Sequence, residues 1–336
     1  MDQSRQDQPT RISRCLITGT TLAFVATLIM AAFTWPAVYA QPRGVPVGLV
    51  GPESAAAEMT TALESARPHE FTVIRYPTRE AAVAAIRHRE VYGAVVVAEP
   101  PELLAASGAS TVAAQLLTGL APMLAGGESA TSERITVTDV VPLSKHDDQG
   151  AGLSASFFPL LLGGLKGGIF IALGVQGTTR RLLTLAVLAG VAGVAVAVVG
   201  QLAFRILSGA LVLNIAASGL TIAAIAATVI GLRNLIGLHG VGVGTVLIML
   251  VGSPISAAML PVEFLPGPWG TVGQYFPPGA SVSLIRTISY FPDASMLSQW
   301  SVLGLWTVGG VSLAIATSRR PQAWARSTTP PSAKAA

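Results

Sequence analysis

Apolar residues gather into six runs, one near the N-terminus and five crowded into the C-terminal half, with a long mixed stretch between the first and the second. The runs cover Leu16–Trp35, Ser154–Gly174, Leu182–Phe204, Leu211–Leu232, Val241–Leu260 and Leu297–Thr317. Each holds about 20 residues, the length an α-helix needs to cross ~30 Å of hydrocarbon while satisfying its own backbone hydrogen bonds. The pattern predicts a polytopic α-helical membrane protein: six transmembrane helices, with an external α/β domain inserted between helices 1 and 2. Residues 1–40 form a cytoplasmic N-terminus and the first helix, 41–150 the extracytoplasmic domain, and 151–318 a five-helix transmembrane domain. A disordered cytoplasmic tail, 319–336, follows.

The pattern inside 41–150 changes period. Val45–Val50, Phe71–Tyr76, Tyr92–Val97 and Ile135–Val141 read as strands; Ala55–Ala66, Thr78–Arg89 and Thr111–Leu124 read as helices, with Thr78 as an N-cap. Strands that alternate with helices need crossover connections, which predicts a small, mostly parallel sheet.

Composition supports the membrane reading, since charged residues are 11% and mean hydropathy is +0.61, where a soluble domain carries about a quarter charged residues. The net charge of +4 is no sign of nucleic-acid binding, because most of the basic excess lies on one side of the expected membrane. Ten of them (Arg5, Arg11, Arg14, Arg180, Arg181, Arg233, Arg319, Arg320, Arg326 and Lys334) flank one face, and only Arg205 and Arg286 lie in the short connections of the other. The positive-inside rule then puts both termini in the cytoplasm and 41–150 outside the cell membrane. The segment Ala37-Val38-Tyr39-Ala40 also resembles a signal-peptide cleavage site, but the apolar run before it exceeds the usual ~7–15 residues, which favours an uncleaved anchor. The external domain carries 13 acidic against 8 basic residues between Arg43 and Asp148, a mildly negative field.

Catalytic signatures are missing. There is no phosphate-binding glycine loop ending in Lys-Ser or Lys-Thr, no His-Glu-x-x-His and no cysteine pair, Cys15 being the single cysteine. No cofactor or metal is therefore expected, and the chain does not read as an enzyme. His146-Asp147-Asp148 reads as a solvated linker, and Gly240, Gly242 and Gly244, with no strand before them, as a turn and a close helix contact.

Lys166 stands out, because it falls near the middle of the second run, where an ammonium costs a few kcal/mol. It belongs either to a substrate path, for which Gln201 in the third run is the other candidate, or to the bundle, facing a carbonyl or hydroxyl. Around it Gly163, Gly164, Gly167 and Gly168 form two small-residue pairs four apart, the spacing of a helix-packing seam. No Asp or Glu lies in any apolar core, which argues against a proton- or sodium-driven carrier. Between the fifth and sixth runs lies a Pro- and aromatic-rich segment, 261–292, with Pro261, Glu263, Pro266, Trp269, Pro277 and Pro278. Val282, Ile285 and Ile288 then recur at helical spacing with Arg286 on the polar side, which predicts a re-entrant or interfacial helix at the outer face.

The run SPISAAMLPVEFLPGPWGTVGQYFPPGASVSLIRTISYF from Ser253 resembles the C-terminal signature of type-2 exporter permeases of the ABC class, especially a phage-infection-protein-like branch. GVPVGLVGP from Gly44, REAAVAAIRHREVYGAVVV from Arg79, ITVTDVVPLSKHDDQG from Ile135 and FFPLLLGGLKGG from Phe157 extend the resemblance over most of the chain. It implies an export permease subunit that works as a homodimer in membrane lipid, with ATP hydrolysis on a separate chain. Two departures are visible: the ATPase-docking elements are short, with about 14 residues before the first run and a turn at Gly177–Arg181 too short for a coupling helix of several turns, and Lys166 interrupts an otherwise small and apolar motif. The other reading is a non-transporting envelope protein whose external domain binds a ligand or another envelope component.

Overall fold

The computed structural model describes residues 12–318 apart from 99, 122–134 and 148. The expected cytoplasmic tail, Arg5 and Arg11, and the end of the helix expected to reach Leu124 lie outside the described residues. The protein is mostly helical (66%), with five helices long and apolar enough to cross a membrane and a small mixed sheet. The chain divides into two compact units, one of Met1–Leu143 with Leu247–Val282 and one of Ser144–Val246 with Ser283–Ala336.

In the first unit, α1 (Ile12–Val38) is a 27-residue apolar helix, and Pro36 is its only buried residue. The α/β part follows as β1 (Val45–Val50), α2 (Glu53–Ala66), β2 (Phe71–Tyr76), α3 (Arg79–Arg87), β3 (Gly93–Val96), β4 (Glu102–Ala105), α4 (Thr111–Thr118) and β5 (Thr136–Asp139). The strand order is β2-β1-β3-β4-β5. β1 pairs in parallel with β2 and β3, with Val45 opposite Phe71 and Gly48 opposite Ala94, and β4 pairs in parallel with β5. The β3–β4 pair is antiparallel, with Val95 opposite Leu103, so the sheet is mixed. The Thr78 hydroxyl accepts a hydrogen bond from the Ala81 amide at 3.2 Å and starts α3, as an N-cap does.

The core of this unit is made by Val45, Val47, Leu49, Val95, Leu103 and Leu117, among others, and it takes in Phe264 from far down the chain, with Leu260 packed against it. Phe264 is 7% exposed. Its carbonyl accepts from the Gln41 amide at 3.1 Å and from the Arg43 guanidinium at 3.0 Å. The segment Leu260–Phe264 is thus part of the α/β core.

In the second unit, α5 (Ala151–Gly174) and α6 (Thr178–Val198), which continues as a π-helical turn to Ala203, precede α7 (Leu211–Ile236). α8 (Leu238–Thr245) and α11 (Leu297–Ser318) complete the set of helices that pack on one another here. α7 is buried along most of its length, and its neighbours reach it through glycines. A methyl at Gly168 of α5 would lie 2.8 Å from Ala226 Cα, one at Gly193 of α6 2.8 Å from Gly219 Cα, and one at Gly310 of α11 2.5 Å from the Ala227 carbonyl. The buried hydroxyls of Thr221 and Thr228 return to the carbonyls of Ala217 and Ala224 at 2.8 and 2.7 Å, so they add no unpaired group to the apolar interior.

The fifth run of the sequence is split. Its apolar helix, α8 with a π-helical continuation, covers Leu238–Gly252, and turns follow from Ser253. At 1.5 Å per residue it is about 22 Å long.

Phe264→Ala in the full chain should cost about 3–5 kcal/mol, because it empties a site lined by β1 and β3. Thermal unfolding of the purified protein, with hydrogen exchange of Val45–Val50 as a local readout, checks this; unchanged protection of that strand would separate Phe264 from the core.

Candidate functional site

The bundle holds two polar clips, one at each end of α7. At its N-terminal end the Asn214 amide donates to Gln201 Oε1 at 3.1 Å and to the Ser208 carbonyl at 2.8 Å, while Gln201 donates to the Gly209 carbonyl at 2.8 Å. Gln201 therefore holds the turn between α6 and α7. At the other end Asn234 accepts from the Arg181 guanidinium and donates to the Ala314 carbonyl at 3.1 Å and to Thr178 Oγ1 at 3.3 Å. Asn214 Oδ1 and Ser218 Oγ, one turn apart on α7, are buried without a hydrogen-bond partner.

On α5, the four glycines expected to form a seam have different surroundings. Methyls at Gly164 and Gly168 would press on Ile225 and Ala226 of α7, one at Gly167 would strike Leu188 of α6, and one at Gly163 meets nothing within 4 Å. Lys166 is exposed on the outward side of the helix with Gly163. It makes no hydrogen bond or ion pair among the described residues, and it is not brought to Gln201. Asp147, read from sequence as part of a linker, is buried and caps α5, accepting from the amides of Gly152 and Leu153 at 2.8 and 2.7 Å.

The Pro- and aromatic-rich segment 261–292 folds as a 3₁₀ turn (Val262–Phe264), a short helix α9 (Trp269–Gly273) and α10 (Pro277–Tyr290). Pro261 precedes the 3₁₀ turn, and Pro266 opens the turn at Gly267, whose φ is +56°. Trp269 meets Trp35 of α1 edge-on, with ring centroids 6.1 Å apart. Pro277 and Pro278 occupy the start of α10, where a missing amide proton costs nothing. Val282, Ile285 and Ile288 are buried, and Arg286 is half-buried.

Glu263 is the point of chemical interest in this segment. Its carboxylate accepts from the Tyr92 hydroxyl at 2.8 Å. Arg89 lies nearby: burial draws its guanidinium below the usual arginine range, and the charge of Glu263 opposes that shift, as does Tyr92. The backbone of Arg89 is left-handed, with φ +61°. It follows the end of α3, where the Arg89 amide bonds to the Ile86 carbonyl at 3.0 Å and the Glu90 amide to Ala85 at 2.9 Å. This double closure is the Schellman arrangement, in which the left-handed position is usually glycine. An arginine there carries a backbone cost of about 1 kcal/mol, the kind of local strain that side-chain interactions must offset.

Sequence reasoning picked out Glu263 but missed Tyr92, Arg89, Asn214 and Asp147. The one available signal was Arg89-Glu90 following a helical pattern where a glycine would be the ordinary stop. Among the described residues no group of three or more His, Cys, Asp or Glu is placed to hold a metal ion. Compared with family models, with curated proteins and with solved structures, the chain finds no match.

Arg89→Gly relieves the backbone cost but removes the guanidinium beside Glu263. Thermal unfolding should therefore show this substitution lowering stability in the wild-type background and raising it in Glu263→Gln. The same sign in both backgrounds would dissociate the two side chains.

Proposed function

We propose that this protein is a permease-like subunit of an export system in the cell membrane, energised by a separate ATPase chain and acting as a homodimer. The observation that most supports it is the tie between an α/β unit and the segment Leu260–Trp269: the unit's core contains Phe264 and its Tyr92 holds Glu263. In this reading a movement of the outer segment is felt at once by the external domain. The four long helices of the second unit and α1 are crossings, and Leu238–Gly252 supplies the sixth, with local bilayer thinning taking up its shortfall against ~30 Å. Both termini are cytoplasmic and the α/β unit is external, as the basic residues of the flanks require.

One observation favours the alternative, a non-transporting envelope protein that uses its external domain for binding. The interior of the second unit is closed by glycine and alanine contacts around α7, which has no charged residue among its own buried positions.

Two measurements divide these readings. Ser65→Cys, at an exposed position of α2 and in a Cys15→Ser background, should react with an impermeant maleimide on intact cells; labelling only after lysis reverses the orientation. Affinity purification in mild detergent should bring down an ATPase subunit, and its reproducible absence under conditions that preserve the dimer leaves the binding role.

A further inference from the structure

Lys166 has surroundings that neither end of the bundle explains. Along α5 the residues Ala155, Pro159, Gly163, Lys166, Phe170 and Leu173 are exposed and recur every three or four positions, so they form one outward stripe, flanked by exposed Phe158. Phe158, Phe170 and Leu173 are 51%, 74% and 52% exposed. The stripe is apolar except for one ammonium, and beside that ammonium Gly163 leaves open space.

Depth makes the charge expensive. Lys166 is eight residues, or about 12 Å, from Gly174 and about 22 Å from Ala151. Side chains on a helix lean toward its N-terminus, so the lysine stem starts away from the nearer end and snorkelling is poorly served. An unpaired ammonium there costs a few kcal/mol on insertion scales. An anion that comes to meet it removes much of that cost.

The protein's own spans cannot supply this anion. No Asp or Glu occurs in Ile12–Val38, Ala151–Gly174, Thr178–Ala203, Leu211–Ile236, Leu238–Gly252 or Leu297–Ser318. A second copy of these helices laid against the stripe would bring a second lysine and no carboxylate. The bilayer itself does hold molecules with the complementary design, an acidic head joined to acyl chains.

We propose that the α5 stripe is a binding station for an anionic phospholipid, with the phosphate at Lys166 and the acyl chains along Gly163, Pro159 and Ala155. The head is drawn below the plane of its leaflet, which makes an anionic amphiphile the substrate class of the export reading on which this inference rests. Gly163 gives the chains room, and Phe170 flanks the head on the side of Gly174.

The test is lipid retention by the purified full chain in detergent, read by native mass spectrometry. Wild type should hold phosphatidylglycerol in preference to phosphatidylcholine, and excess inorganic phosphate should not displace it. Lys166→Met should lower the preference by about tenfold, the size of a charge-assisted contact, and Lys166→Arg should keep it. A phosphatidylglycerol with a photoreactive acyl chain should label the peptide containing Pro159 and Gly163. Undiminished preference in Lys166→Met, displacement by free phosphate, or efficient copy-to-copy crosslinking through Gly163→Cys would each overturn the proposal. Because the readout is binding, it can fail while an ATPase still co-purifies, and the ATPase can be missing while the lipid is held.

Discussion

Close approach of backbones to α7 is the constraint on which the second unit depends. Lipid tails are as apolar as leucine, so in a membrane apolar burial does little to bring helices together, and packing must do it. α7 offers a surface of Ala217, Ala223, Ala224, Ala226 and Ala227, and its neighbours answer with Gly168, Gly193 and Gly310. Shape at these crossings is then set by what is missing from the side chains. Amide clips from Gln201 to Asn214 and from Arg181 to Asn234 fix the register of the helices at the two ends, where polar groups are cheapest to keep.

That arrangement leaves polarity in few places. The buried face of α7 is apolar apart from Asn214, Ser218 and two threonines that bond back to their own helix, and the one charge far from a helix end in this unit, Lys166, lies outside it. In the first unit one polar contact lies where the segment 261–292 enters the α/β core. There Glu263 meets Tyr92 and Arg89 accepts a left-handed backbone, next to the burial of Phe264. A strained residue and a buried anchor within one junction give that segment a defined position.

The long apolar helices and most of the α/β unit were legible because their patterns are local. Val45–Val50 and Phe71–Tyr76 have the bounds their β-branched and aromatic residues suggest, and Thr78 caps α3. β4 was not legible: it has four residues, follows Pro100-Pro101, and its adjacent leucines Leu103 and Leu104 are both buried, so no alternation marks it. Its antiparallel pairing with β3 is why the sheet is mixed and not mostly parallel. The candidate sites were harder still. Glu263 could be noticed for its charge, yet Tyr92, 171 residues away, is chosen by tertiary structure alone. Equally, the glycine pairs signalled a seam on α5, but only three-dimensional packing assigns Gly164 and Gly168 to α7 and leaves Gly163 open.

The measurement that tests this account most directly compares two neighbouring valine substitutions on α5 by thermal unfolding in detergent. Gly168→Val puts its side chain against the Ala226 backbone, which has no flexible end to move aside, so it should lose about 1–3 kcal/mol or more and unfold at a clearly lower temperature. Gly163→Val adds the same atoms to open space and should unfold like the wild type. Equal stability of the two variants, or a greater loss at Gly163, would contradict a bundle built on backbone approach to α7.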